Sequence, residues 1–256
     1  NPLLCIFASA MIRKTILLVM LVTSIMTMAQ LNMYVYEKDG TRTAFLATNV
    51  DSITFSNADD VQSETTTVAH EWVDLGLSVK WATTNVGANT PEEAGFFLAW
   101  GETEPKEEYS WKTYKWCKGT VDTQTKYCLV PSEGTVDDKS VLELADDAAH
   151  VLWGSPWRMP TMNELDELMD KCTWTWTTKN GVNGYIVTGP NGNSIFLPAV
   201  GYYDGTELCA EGARSDYWGS NVYGCSSQKV IRLYFRSNYK GMMWHDRCQG
   251  RLIRPV

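Results

Sequence analysis

Two stretches of this chain carry the reciprocal signature of a helix start, and after the second the chain is punctuated for strands. Ser140 with Glu143 precedes LELADDAAHVLW, and Thr161 with Glu164 precedes Leu165, Leu168 and Met169. In such a pair the hydroxyl accepts the N–H three residues on and the carboxylate accepts the N–H of the capping residue, so two donors left free at a helix start are satisfied together. The second helix is predicted over about Met162 to Lys171. Beyond it come TWTW (173–176), GYIVT (184–188) and SIFLPAVGY (194–202). Asn183-Gly184 and Asn191-Gly192 are turn signals, because both residue types tolerate positive φ. The Asn191-Gly192 turn predicts a hairpin over 184–199. DYWGSNV, VIRLYF and GRLIRPV supply the last strands. Helices early and an antiparallel meander late make an α+β pattern.

Upstream, WVDLGLSVKWA (72–82) reads as a strand pair or one bent strand. Thr90-Pro91-Glu92-Glu93 reads as a short helix or helical turn, with Pro at the first helical position and acid in the first turn. FFLAWGE (96–102) reads as a buried strand, and 103–137 as a loop-rich aromatic excursion. Near the start, MYVYEKDGTRTAFLATNVDSITF predicts a small β unit over 30–56, with a turn at Asp39-Gly40 and a third strand at Ser52–Phe55. The polar run that follows is a linker, 57–69, and the main domain spans 70–256.

Residues 1–29 read as a pre-sequence and signal peptide. Met11-Ile12-Arg13-Lys14 is a positive n-region, TILLVMLVTSIM an apolar h-region short for a spanning helix, and Ala29 the small residue before cleavage. The expectation is an exported protein (periplasm, cell surface or extracellular) with no stable membrane span after signal cleavage. Cysteine use agrees with export. Cys117, Cys128, Cys172, Cys209, Cys225 and Cys248 follow the leader, and Cys117–Cys128 and Cys225–Cys248 could each clip a loop; the alternative is that they are free and buried. The formal charge is −8 and no Lys/Arg run occurs, which excludes a nucleic-acid partner, since that needs a basic stripe to release counterions.

The richest chemistry lies in SNYKGMMWHDRC, Ser237 to Cys248. Cys248, His245 and Asp246 are the residue types of a thiol triad, but adjacency in sequence is not triad geometry, and no catalytic residue is expected. His70, His150 and His245 are scattered, so no metal site is expected, and no cofactor beyond a structural calcium left open. Asp137, Asp138, Glu143, Asp146 and Asp147 read as a solvated helix start. Trp157, Arg158 and Pro160 read as core. Met242, Met243 and Trp244 cannot all face inward on a strand, because successive side chains alternate, so at least one should be exposed; the stretch is read as a displayed loop that Gly241 lets turn, the alternative being that two of the three pack the core and the rest is an ordinary loop.

WGSPWRMPTMNELDELM, GVNGYIVTGPNGNSIFLPAVGYYDG, DYWGSN and the closing RLIRPV resemble the Fibrobacter succinogenes major paralogous domain. VDLGLSVKWATTNVGA and AWGETEP resemble its version in exported proteins of Bacteroidales, and the DG…VDSITF unit resembles a small module that precedes it there. The resemblance covers about 72–256. More distantly, WRMPTMNEL is similar to the RLPTEAEWE stretch of formylglycine-generating-enzyme-like domains. The resemblance implies a C-type-lectin-like fold, with two helices, small antiparallel sheets and the first and last strands brought together. It also implies a ligand surface near the C-terminus, between Tyr217 and Arg247, as in the variable receptor-binding proteins of that fold. The cysteine pair of the formylglycine-generating enzymes has no counterpart here, nor do the calcium-ligating loops of sugar-binding C-type lectins.

The sequence thus points to a non-enzymatic ligand-binding or adhesin-like module that meets a surface protein or glycan. The contact residues it nominates are Tyr217, Trp218, Asn221, Tyr239, Met243, Trp244, His245 and Arg247. The alternatives are an enzyme on the same fold, which needs a concave pocket with convergent polar groups, and a structural subunit of a surface assembly docking through 30–56.

Overall fold

The computed structural model describes residues 32–36, 42–46 and 70–256. The leader, the linker, the Asp39-Gly40 turn and the third strand at 52–55 lie outside the described residues. The chain divides into two units, Asn1–Thr67 and Val68–Val256. In the first, β1 (Asn32–Tyr36) pairs antiparallel with β2 (Arg42–Leu46), Tyr36 opposite Arg42.

The second unit is α+β, with short helices and small antiparallel sheets. It opens with a strand pair, β3 (Trp72–Val73) and β4 (Trp81–Ala82). Thr90-Pro91-Glu92-Glu93 makes a turn, with the Glu93 N–H donating to Thr90 O at 3.2 Å. The segment predicted as a buried strand at 96–102 is extended but ladders only at Leu98, which exchanges both backbone hydrogen bonds with Arg251.

The helices show which start signals hold. α1 (Ala148–Trp153) is capped by Asp147, whose carboxylate accepts from the N–H groups of Ala149 and His150. The Ser140–Glu143 box is not formed: Val141 bridges Asn221, and Glu143 pairs with Lys126 and Lys139. The predicted helix therefore starts later, at the carboxylate that also receives the Met159 N–H at 2.7 Å. α2 (Met162–Lys171) starts where predicted, and its Thr161–Glu164 box is complete.

β5 (Thr173–Lys179), β6 (Val182–Thr188) and β7 (Ser194–Pro198) form one antiparallel sheet, and the predicted hairpin around Asn191-Gly192 forms, with Gly184 opposite Pro198. The other Asn-Gly signal is misplaced. The turn between β5 and β6 is Asn180-Gly181, both at positive φ, while Asn183-Gly184 lies inside β6. Glycine is needed at 184 for space: a Cβ there would sit 2.3 Å from Leu197 O. β8 (Tyr202–Asp204) and β9 (Glu207–Cys209) form a small hairpin. β10 (Arg214–Tyr223), β11 (Ser226–Arg236) and β12 (Tyr239–Asp246) form the second three-stranded sheet, with β11 central.

The core lies between these sheets. Tyr185, Val187, Ile195 and Leu197 of β6 and β7 cluster with Leu165 and Leu168 of α2 and with Tyr217, Ile231, Leu233 and Phe235 of β10 and β11. A second cluster joins Leu98, Trp100, Tyr127, Ala149, Trp218, Val230 and Ile253. Each fully buried large apolar side chain stabilises the fold by roughly 1.5–3 kcal/mol. The last residues close the unit: Ala82 N–H donates to Pro255 O at 2.9 Å and Val86 N–H to Ile253 O at 3.0 Å. Arg254 fastens this closure, its guanidinium donating to Asn85 Oδ1 and to the carbonyls of Ala82, Thr83 and Phe196.

All six described cysteines are free thiols, so neither Cys117–Cys128 nor Cys225–Cys248 is bridged. The excursion at 103–137 is held instead by Arg247, which donates to the carbonyls of Tyr127 and Lys126 and to Gln124. Among the described residues, no helix is long and apolar enough to cross a membrane.

Candidate functional site

The stretch read as a displayed loop is strand β12, at one edge of its sheet. Alternation then decides which side chains it displays. Lys240, Met242 and Trp244 point to the core side, where Met242 and Trp244 pack on the first cluster and Lys240 Nζ donates to Met169 O at 2.6 Å. Tyr239, Gly241, Met243 and His245 point to the other face. Their partners across β11 are Arg236, Tyr234, Arg232 and Val230. Those in turn stand opposite Arg214, Asp216, Trp218 and Val222 of β10, Arg236 with Arg214 and Val230 with Val222.

Three of the nominated contact residues, Tyr239, Met243 and His245, therefore share one face. Tyr239 and Met243 are exposed, at 44% and 47%, and His245 is half-buried. The rest have other tasks. Tyr217 and Trp218 are buried, and Trp218 Nε1 donates to Leu98 O at 2.9 Å. Arg247 is fully buried on the excursion. These burials withdraw all three from a contact surface. Asn221 Oδ1 accepts the N–H of Met162 at 2.7 Å and so braces the start of α2. Trp244 lies against Tyr223, ring centroids 4.7 Å apart, on the core side.

Sequence reading missed the residues that dominate the shared face. Asp216 is fully buried and pairs with three guanidiniums. Arg214 holds it in a fork (2.7 and 2.9 Å), Arg251 Nη1 lies 2.9 Å away, and Arg232 is also in contact. Tyrosines line the cluster. Arg214 lies over Tyr202 and Tyr234, Arg232 over Tyr234, and Arg251 between Tyr202 and Trp218. Tyr234 continues to Tyr239, centroids 5.1 Å apart. The signal was available: in VIRLYFR, Arg232, Tyr234 and Arg236 fall on one face, and Leu233 and Phe235 on the other.

The charges reshape titration. Burial first, then Arg251, Arg232, Arg214 and Lys229, lower His245 to about 3, so it is neutral at physiological pH. Its Nδ1 accepts the N–H of Asp246. Burial, then Asp246, pushes the Cys248 thiol up to about 12, so it supplies no thiolate to a triad. Burial, then the neighbouring arginines, lowers Arg232 to about 9. The acids read as a solvated helix start are partly interior: Asp146 and Asp147 are buried, and Asp146 accepts from Lys126 and Tyr127. Among the described residues, no group of three or more His, Cys, Asp or Glu side chains stands together as a metal site.

A cleft of about 200 Å³ lies elsewhere, lined by Gly181, Val182, Asn183, Val200, Glu211 and Gly212. It is smaller than the usual ligand pocket of about 300–1,000 Å³ and contains no nominated contact residue.

Searches of protein-family models, of curated proteins and of solved structures return no match to this chain.

Proposed function

We propose that this chain is an exported, non-enzymatic binding module whose second unit has a C-type-lectin-like fold of the Fibrobacter succinogenes major paralogous kind. It presents the part of the β10–β11–β12 face around Tyr239, Met243 and Tyr234 to a surface protein or glycan. The fold part of this reading draws support from the small antiparallel sheets, the pair of helices and the closing of β4 onto the last residues. The observation that carries the functional part is the placement of Tyr239 and Met243. Both are large and exposed, and both share one face of an edge strand with tyrosines and arginines. Tyr, Met and Arg are residue types enriched where proteins make contact, because they give wide or adaptable contact area.

The test is binding of the full chain to an array of glycans and bacterial surface proteins, beside a Tyr239→Ala, Met243→Ala, His245→Ala variant. A ligand retained by the wild type and lost by the folded variant supports the reading. A ligand held equally by both moves the site off this face and overturns it.

A further inference from the structure

Charge in the Asp216 cluster is unevenly paired: Asp204 and Asp246 act on Arg251 electrostatically and Gln249 Oε1 accepts from its Nη2, but Asp216 is the carboxylate in contact with the guanidiniums. Three guanidiniums meet one carboxylate, and Asp216 and Arg251 are fully buried, with Arg232 4% exposed. Burying an uncompensated charge costs several kcal/mol, by order of magnitude, unless a counter-ion or a full set of hydrogen bonds offsets it. The chain has such a set elsewhere: Arg254 gives its N–H groups to four acceptors. The Asp216 cluster differs. The Nε atoms of Arg232 and Arg251 are buried without a hydrogen-bond partner, and their Nη1 atoms meet Asp216 as ion pairs that lack hydrogen-bond geometry. Buried donors of this kind are rare in folded proteins and call for an acceptor.

The cluster is reached from the proposed contact face. Arg214 remains 23% exposed, Tyr202 and Tyr234 are half-buried, and Met243, directly opposite Arg232, is a flexible exposed side chain. We infer that Arg214 and Arg232, backed by Arg251, form a binding site for the negatively charged group of an acidic sugar, with Tyr234 and Tyr239 flanking the ring. This rests on the part of the β10–β11–β12 face around Tyr239 and Met243 being the binding face.

Guanidinium forks match carboxylate and sulfate oxygens in pairs. The flanking tyrosines offer apolar ring faces with a hydroxyl at the edge, which suits a sugar's C–H face and its hydroxyls. An acidic peptide added as a strand would use the backbone edge of β12, whereas the arginines lie on the sheet's face. The net charge of −8 keeps the rest of the surface from attracting polyanions in general, so the positive site is local.

The test uses the full chain and isothermal titration with polygalacturonate, dextran sulfate, neutral dextran and poly-L-glutamate. Variants are Arg214→Gln, Arg232→Gln and, as a charge control on an exposed position, Lys118→Gln. The expected result is binding of an acidic polysaccharide and not of dextran, weakened at least tenfold by Arg214→Gln and by Arg232→Gln but not by Lys118→Gln. Preference for polygalacturonate or for dextran sulfate identifies the anion as carboxylate or sulfate. Arg232→Gln should melt within a few degrees of wild type, since it relieves excess charge; Arg214→Gln, at the half-open rim, reads binding even if Arg232→Gln fails to fold. Equal binding of poly-L-glutamate through the same arginines overturns the sugar assignment. Absence of any anion binding overturns the site itself, and the Tyr239, Met243, His245 variant then still decides separately whether the face binds something else.

Discussion

Met243 stands directly opposite Arg232, so the most exposed apolar side chain of β12 sits beside a guanidinium almost closed off from water. The proposed contact surface and the buried charge are neighbours on one sheet face. Contact residues and structural residues should therefore separate cleanly in stability measurements. The Tyr239→Ala, Met243→Ala double variant should unfold within about 0.5 kcal/mol of wild type for each change, as exposed sites do. Trp218→Ala, which removes a fully buried ring and its bond to Leu98 O, should cost about 3–5 kcal/mol. Urea titration followed by circular dichroism checks both. A large loss in the double variant would mean that these side chains support the fold.

The two helix-start signals make a paired prediction. Thr161→Ala should cost about 1 kcal/mol, because its hydroxyl caps α2 and the Glu164 carboxylate reciprocates. Ser140→Ala should cost close to nothing as a cap, because α1 is capped by Asp147. Asp147→Ala should exceed Thr161→Ala, since it strips a cap and also leaves the buried Met159 N–H without its acceptor. Denaturant midpoints of the three single variants give the ranking.

These contrasts show what the sequence could reveal. Local signals with an immediate partner were readable: the Thr161 box, the Asn191-Gly192 hairpin and the strand-rich second half all appear in the predicted places. Signals that compete with a neighbour were not. Asn183-Gly184 looks like a turn, but Asn180-Gly181 lies nearer the end of β5 and takes that role, leaving Gly184 to clear space for Leu197 O. Ser140 is drawn into backbone pairing with Val222, whose N–H donates to its carbonyl, so the nearby box never forms. For the site, the region near the C-terminus was legible while its face was not. Alternation told that Met242, Met243 and Trp244 could not all face inward, but only the register of β12 against β11 tells that Met243 is the one turned out. The partners of Asp216 come from β10, β11 and the last residues, and only the tertiary fold brings them together.

His245 predicts a pH dependence of stability. Its folded pKa of about 3 lies below the ordinary 6.5, so between these values the unfolded chain binds a proton that the folded chain does not. Stability therefore rises with pH across that window and is lost as pH falls from about 6.5 towards 3. The carboxylates of Glu143 and Glu167, held down to about 2 by lysines, lose their contribution only at lower pH, below their ordinary 4.5. His70, lowered by burial, shares the upper window. His245→Gln should thus flatten, without abolishing, the fall in melting temperature between pH 7 and pH 5.5. Parallel melts at those two pH values test this, and an unchanged slope would mean that burial and the neighbouring arginines do not hold His245 neutral.

Asp216 offers the sharpest test of charge balance. Asp216→Asn removes the carboxylate from beneath three guanidiniums and should cost about 3–5 kcal/mol, the usual penalty for stripping one partner from a buried ionic group. The cause would be the cations left behind, so removing one of them should help. Adding Arg232→Met to Asp216→Asn should recover part of the loss, because the added change removes a buried charge at 4% exposure and keeps an apolar stem of similar reach beside Tyr234. A structural role for Arg232 of any other kind predicts the opposite, two losses that add. The double-mutant cycle, measured by urea unfolding, separates the two through the sign of the coupling energy. Recovery would identify electrostatic excess as the dominant strain in the cluster, and an added anion should then stabilise the wild type more than the double variant.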